Sequence, residues 1–145
     1  GFICLLLTGI PDALDGAVAK AAGTASVRGA FFDSVSDRVT DSLLFSGIAW
    51  HLATEEPGRI MMLPVALMAT AMLVSYQRAK AESLGFDAKG GIMERAERFI
   101  ALAVGLLFDD ILIPVLWVML VLTGITACQR FVKIWKQASK NTSPL

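Results

Sequence analysis

Charge is scarce in this chain: 18% of its residues are Asp, Glu, Lys or Arg, where a soluble domain carries about a quarter. That shortage excludes a disordered chain and a nucleic-acid-binding arm, and it argues against an ordinary soluble globule. Cysteine is nearly absent. Cys4 and Cys128 form no CxxC pair, which excludes a disulfide framework and a cysteine zinc site. There is one histidine and one tyrosine. No P-loop, Rossmann fingerprint, nucleophile elbow or HExxH occurs. The opening GFICLLLTGI has no basic stretch before it and does not read as a signal peptide. Because the chain starts at Gly1 rather than Met, it reads as a fragment.

Apolar residues are abundant, 55% of the total with a mean hydropathy of +0.63, and they lie in blocks. The blocks cover 1–11, 39–53, 60–76, 99–108 and 111–128. A spanning helix needs about 20 residues, so several blocks reach that length only by extending into polar flanks such as 33–38 and 94–98. The expected fold is an all-α integral membrane helical bundle with five transmembrane helices. Asp109 and Asp110 are expected to form a tight turn between the last two.

The 13 basic and 13 acidic residues cancel in number but not in place. Threading the chain through a membrane at each block puts Lys20, Arg28, Arg38, Arg78, Lys80, Lys89, Arg95, Arg98, Arg130, Lys133, Lys136 and Lys140 on one side. Arg59 alone falls on the other, with Glu55, Glu56, Asp109 and Asp110. By the positive-inside rule the first side is cytoplasmic. Trp50 and Trp135 then fall near opposite interfaces.

Ionisable residues at membrane depth are costly and mark function. The densest set is DALDGAVAKAAGTASVRGAFFDSVSD, residues 12–37. Asp12 and Asp15 are three apart, Asp33 and Asp37 four apart, so each pair shares a helix face. Asp41 continues the second stripe. Four converging carboxylates repel one another unless a cation sits among them. All-oxygen ligation favours Mg²⁺, Mn²⁺ or Ca²⁺ over zinc, and one carboxylate can serve as general base. Gly16 and Gly29 allow a ligand or a second backbone to approach. The alternative is a set of structural ion pairs with Lys20, Arg28 and Arg38.

A second cluster is basic. Arg78 and Lys80 lie in SYQRAKAESLG, Arg95 and Arg98 in GGIMERAERF, and Arg130 in TACQRF. All fall at cytoplasmic helix ends, where five cations at one depth suit a phosphate. The plainer reading is i,i+4 pairing, Arg78 with Glu82 and Glu94 with Arg98, together with anchoring on anionic lipid headgroups.

The pattern D-x2-D-G-x2-A-K-x8-G-x3-D-x3-D over residues 12–37 resembles the signature of the CDP-alcohol phosphotransferase family, with Lys20 where the family has Arg. The basic segments resemble its actinobacterial branch, the phosphatidylinositol phosphate synthases, with Ala96 where many relatives have Pro and Lys80 where many have Arg. The resemblance implies one membrane domain over 1–145, truncated at its N-terminus from a six-helix protein and homodimeric. It implies phosphatidyl transfer from CDP-diacylglycerol to inositol phosphate, at a site facing the cytoplasm of a bacterial cell. Asp12, Asp15, Asp33 and Asp37 would hold two Mg²⁺ or Mn²⁺ ions, with Asp37 the base. Asp12, Asp15, Gly16, Lys20, Ser26 and Gly29 would meet the nucleotide. Arg78, Lys80, Arg95, Arg98 and Arg130 would bind the acceptor's phosphate. The competing readings are glycerol 3-phosphate as acceptor, a non-catalytic membrane relative weakened at Lys20, and a divalent-cation transporter. Nucleic acid is not an expected partner.

Overall fold

A computed structural model describes residues 26–55, 58–88 and 90–140. Asp12, Asp15, Gly16 and Lys20, with the first apolar block and Cys4, lie outside the described residues. Among the described residues there are four helices and no strand. They are α1 (Val27–Glu55), α2 (Met62–Ser83), α3 (Arg95–Leu107) and α4 (Asp109–Lys140). Each absorbs one apolar block and its polar flanks.

Ser26 caps α1: its Oγ accepts the Gly29 N–H at 3.0 Å, satisfying one of the amides that a helix start leaves open. Asp41, Phe45, Ile48 and Leu52 form the buried stripe of this helix, at the spacing of one helical face.

Pro64 lies in the first turn of α2, where its missing N–H costs no helical bond, so it introduces no kink. Leu63, Leu67, Ala71 and Val74 run down the buried face. The helix ends at SLGF with Gly85 at φ +77°. The Phe86 N–H reaches Ala81 O at 2.9 Å and the Gly85 N–H reaches Glu82 O at 3.1 Å. This Schellman closure needs a left-handed residue at its turn, and glycine adopts that conformation without a Cβ clash.

The turn between the last two helices falls at Phe108, whose backbone is extended, rather than at Asp109 and Asp110. These acids instead open α4. An acidic residue such as Asp110 is favoured in a first turn, near the positive end of the helix dipole. α4 has 32 residues with Pro114 inside it, about 48 Å at 1.5 Å per residue. Among the described residues one helix is long and apolar enough to cross a membrane, Asp110–Lys140.

α4 packs along both α2 and α3, and α1 packs along α2. The shared core joins Phe45, Ile48 and Leu52 of α1 with Leu63 and Leu67 of α2, Leu102 of α3, and Leu112, Leu116 and Met119 of α4. Outward faces carry large apolar side chains: Phe31, Leu43, Val118 and Val121 are more than half exposed. Trp50 is exposed near the end of α1. Trp135 is exposed towards the end of α4 and stacks on Phe131, ring centroids 5.9 Å apart. Cys128 is exposed and unbridged.

Candidate active site

Asp33, Asp37 and Asp41 descend α1 one turn at a time, and burial deepens with each step. Asp33 is exposed, Asp37 half-buried and Asp41 buried. The i,i+4 spacing keeps all three near one face, and the lower two meet arginines from α3. Arg95 Nη1 lies 2.6 Å from Asp37 Oδ1, and its Nε lies 3.7 Å from Asp41 Oδ1. Arg98 Nη2 lies 3.9 Å from Asp41 Oδ2. Arg38, on α1 itself, approaches Asp37 at 3.6 Å and Asp41 at 3.5 Å, and its Nη1 donates to Ser75 Oγ on α2.

The two α3 arginines differ in setting. Arg98 is buried, and its Nη1 donates to Met93 O at 3.4 Å. Arg95 is partly open and lies over the Phe99 ring, 4.8 Å from its centroid, a cation–π contact that fixes the plane of the guanidinium. A charge is buried at tolerable cost only when paired, and the carboxylates of α1 supply the pairs.

Arg130 is the other buried arginine. Nη1 donates to Val74 O at 2.9 Å and Nη2 to Gly90 O at 3.0 Å, while Glu94 Oε1 stands 3.5 Å from Nη2. The same Glu94 oxygen accepts the Gly90 N–H at 3.1 Å. The segment before α3 is thus tied to α4 at several heights. Thr126 Oγ1 accepts the Met93 N–H at 3.0 Å. Gln137 exchanges two hydrogen bonds with the Asp87 backbone, at 3.0 and 2.7 Å. Lys133 pairs with the Asp87 carboxylate at 2.7 Å. Close approach demands glycine here: a Cβ on Gly91 would strike the Thr126 methyl.

Of the expected phosphate ligands, Arg95 and Arg98 come together against Asp37 and Asp41. Arg98 also feels the charge of Arg130, and Arg130 that of Arg78. Arg78 is exposed and pairs with Glu82 at 3.0 Å. Lys80 is exposed in the last turn of α2. Glu94 pairs with Arg130 and Arg98 with Asp41, in place of the i,i+4 pair expected between Glu94 and Arg98. The sequence reading assigned no role to Thr126 or Gln137, gave Arg38 and Glu94 only structural ion pairing, and noted Asp41 without giving it a role. For Asp41 the signal was present in the continued i,i+4 stripe. Thr126 and Gln137 meet partners 33 and 50 residues away, and Arg38 reaches Ser75 37 residues away, beyond any local pattern.

Among the described residues, no group of three His, Cys, Asp or Glu side chains is placed to hold a metal ion. Two of the four expected ligands, Asp33 and Asp37, are in view. They are oxygen donors one turn apart, the outer one open to solvent, and this donor chemistry fits a hard divalent cation.

The model of the CDP-alcohol phosphatidyltransferase family matches residues 1–134. The chain belongs to that family, whose members are membrane-bound enzymes. Among curated proteins it is similar to the phosphatidylinositol phosphate synthase of Mycobacterium marinum, 33% identical over 86% of this chain and 57% of the relative. It is likewise similar to that of Mycobacteroides abscessus, 34% identical over 90% and 62%. The chain therefore spans about three fifths of the length of these relatives. An uncharacterized protein of Aquifex aeolicus is 40% identical over 70% of this chain and 52% of its own. Among solved structures, the Mycobacterium tuberculosis phosphatidylinositol phosphate synthase with CDP-DAG bound superposes with a TM-score of 0.82 at 28% identity, covering 92% of this chain and 72% of that one. The same enzyme in complex with manganese and citrate gives 0.75 at 30% identity, over 85% and 63%.

Proposed function

We propose that this chain carries the catalytic machinery of a phosphatidyltransferase that uses CDP-diacylglycerol and inositol phosphate and releases CMP. The observation that carries the reading is the 2.6 Å pair of Asp37 and Arg95. It puts the carboxylate suited to take a proton beside a guanidinium suited to hold a phosphate. The similarity to phosphatidylinositol phosphate synthases supports the choice of acceptor.

Asp33 and Asp37, with Asp12 and Asp15 from the motif, are the residues that would hold divalent metal. A similar enzyme is known in complex with manganese, and two ions of Mg²⁺ or Mn²⁺ fit four carboxylates. A divalent cation held there would supply positive charge against the diphosphate and the departing CMP. Gly16, Lys20, Ser26 and Gly29 would meet the nucleotide, Lys20 as a point charge where the family's Arg offers a fork. Arg95 and Arg98 hold the acceptor's phosphate, and Arg130, Arg78 and Lys80 add positive charge. Held in this way, the acceptor hydroxyl faces Asp37. Asp37 removes the hydroxyl proton, the oxygen bonds to the phosphorus carrying diacylglycerol, and the bond from that phosphorus to the oxygen of CMP breaks.

The same reading makes the chain one membrane domain of five spans, part of a longer six-helix protein that forms a homodimer in the bacterial cell membrane. The exposed apolar faces and Trp50 and Trp135 support lipid contact, and the segregated basic residues support a site on the cytoplasmic side.

The test is CMP release by the full-length protein with CDP-diacylglycerol, Mg²⁺ and one of three acceptors. Release with inositol phosphate, and not with glycerol 3-phosphate or free inositol, is the expected result. Release with glycerol 3-phosphate instead overturns the acceptor. No release from folded protein with any of them overturns the reaction.

A further inference from the structure

Asp41 stands apart from the residues assigned above. It is the buried carboxylate of α1, 4% exposed, and it lies one turn below the lowest aspartate of the signature. Three guanidiniums stand within 4 Å of it: Arg38 at 3.5 Å, Arg95 at 3.7 Å and Arg98 at 3.9 Å. The arginines of α3 reach both of its oxygens, Arg95 on Oδ1 and Arg98 on Oδ2. At these separations the attraction is Coulombic, and it draws two arginines of one helix towards one buried carboxylate.

The Arg95 side chain is 29% exposed and within reach of a ligand, while Arg98 is buried.

We propose that Asp41 is a positioning residue for the acceptor: it orients Arg95 and Arg98 to receive a phosphate group carried by an alcohol. The inference rests on the reading that these arginines hold that phosphate. Asp41 touches neither the phosphate nor the reacting atoms. It keeps the two guanidiniums from repelling each other apart. Without it, Arg98 remains buried but loses its anion, and Arg95 is left to Asp37.

The experiment uses the full-length protein in detergent with two readouts. One is steady-state CMP release. The other is the rise in melting temperature caused by inorganic phosphate, which needs no turnover. Asp41→Asn keeps the shape and removes the charge. It is expected to raise KM for the phosphorylated acceptor about tenfold or more while kcat and the KM for CDP-diacylglycerol change less than about threefold. It is also expected to abolish the phosphate-induced rise. Asp41→Glu restores the charge and should fall between the two. A role confined to stability would lower the melting temperature and move both substrates alike, and that result overturns the proposal. So does an unchanged acceptor KM with an unchanged phosphate-induced rise, or a wild-type protein that phosphate does not stabilise. Should Asp41→Asn not accumulate as folded protein, Asp41→Glu decides the matter by the same two readouts. If the wild type responds to phosphate but turns over no phosphorylated alcohol, the proposed reaction fails, and the loss or survival of the response in Asp41→Asn still judges Asp41.

Discussion

Arg95 Nη1 lies 2.6 Å from Asp37 Oδ1, and this contact, with the longer pairs of Arg95 and Arg98 to Asp41, joins α3 to the face of α1 that carries the aspartates. It places a phosphate-binding group against a proton-accepting one. An acceptor whose phosphate engages Arg95 is thereby delivered to the carboxylate, which is how positioning lowers a barrier without new chemistry.

The two α3 arginines should respond differently to removal. Arg95 is partly exposed, so Arg95→Ala is expected to raise the acceptor KM about tenfold or more with little loss of folded protein. Arg98 is buried beside Asp41, so Arg98→Ala should both raise KM and cost about 1–3 kcal/mol of stability by leaving a buried group short of a partner. Steady-state kinetics beside thermal unfolding in detergent separates the two. Equal stability losses would contradict the difference in setting.

Gly91 is required by its neighbour on α4. Gly91→Ala puts a Cβ into the Thr126 methyl, at a φ of +158° that side chains rarely adopt. We expect a loss of about 1–3 kcal/mol. Thr126→Ser removes the methyl and retains the hydroxyl that accepts the Met93 N–H, so the double variant should recover part of that loss. A double variant that recovers nothing would show that backbone strain, not the methyl, sets the cost.

Arg130 fastens the α2–α3 connection through Val74 O, Gly90 O and Glu94. Arg130→Lys keeps the charge but offers no fork. It should lose about 1–2 kcal/mol of stability and make the segment 84–94 a preferred site of limited proteolysis. Unchanged cleavage would argue that Thr126, Lys133 and Gln137 hold the segment without it.

Much of this was legible beforehand, for physical reasons. The four apolar blocks among the described residues became helices because an apolar chain must satisfy its backbone internally. The i,i+4 spacing of Asp33, Asp37 and Asp41 put them on one face without any tertiary information. The Ser26 hydroxyl caps the Gly29 amide at the start of α1, a role the sequence reading did not give either residue. The acidic pair 109–110 misled because acids suit both turns and first helical turns, and which one forms depends on how α3 packs on α4. The links of Arg130 to Gly90 and of Gln137 to Asp87 were not legible, because each joins residues 40 or 50 positions apart that meet only once α2, α3 and α4 are packed.

The most direct test of the account is Asp37→Asn in the full-length protein, assayed for CMP release with CDP-diacylglycerol, Mg²⁺ and inositol phosphate. Asparagine keeps the size of the side chain and cannot take the proton. The account predicts that turnover falls by about 10²–10⁴, while inorganic phosphate still raises the melting temperature through Arg95 and Arg98. Turnover within a few-fold of wild type would contradict Asp37 as the base and with it the meaning given to its contact with Arg95.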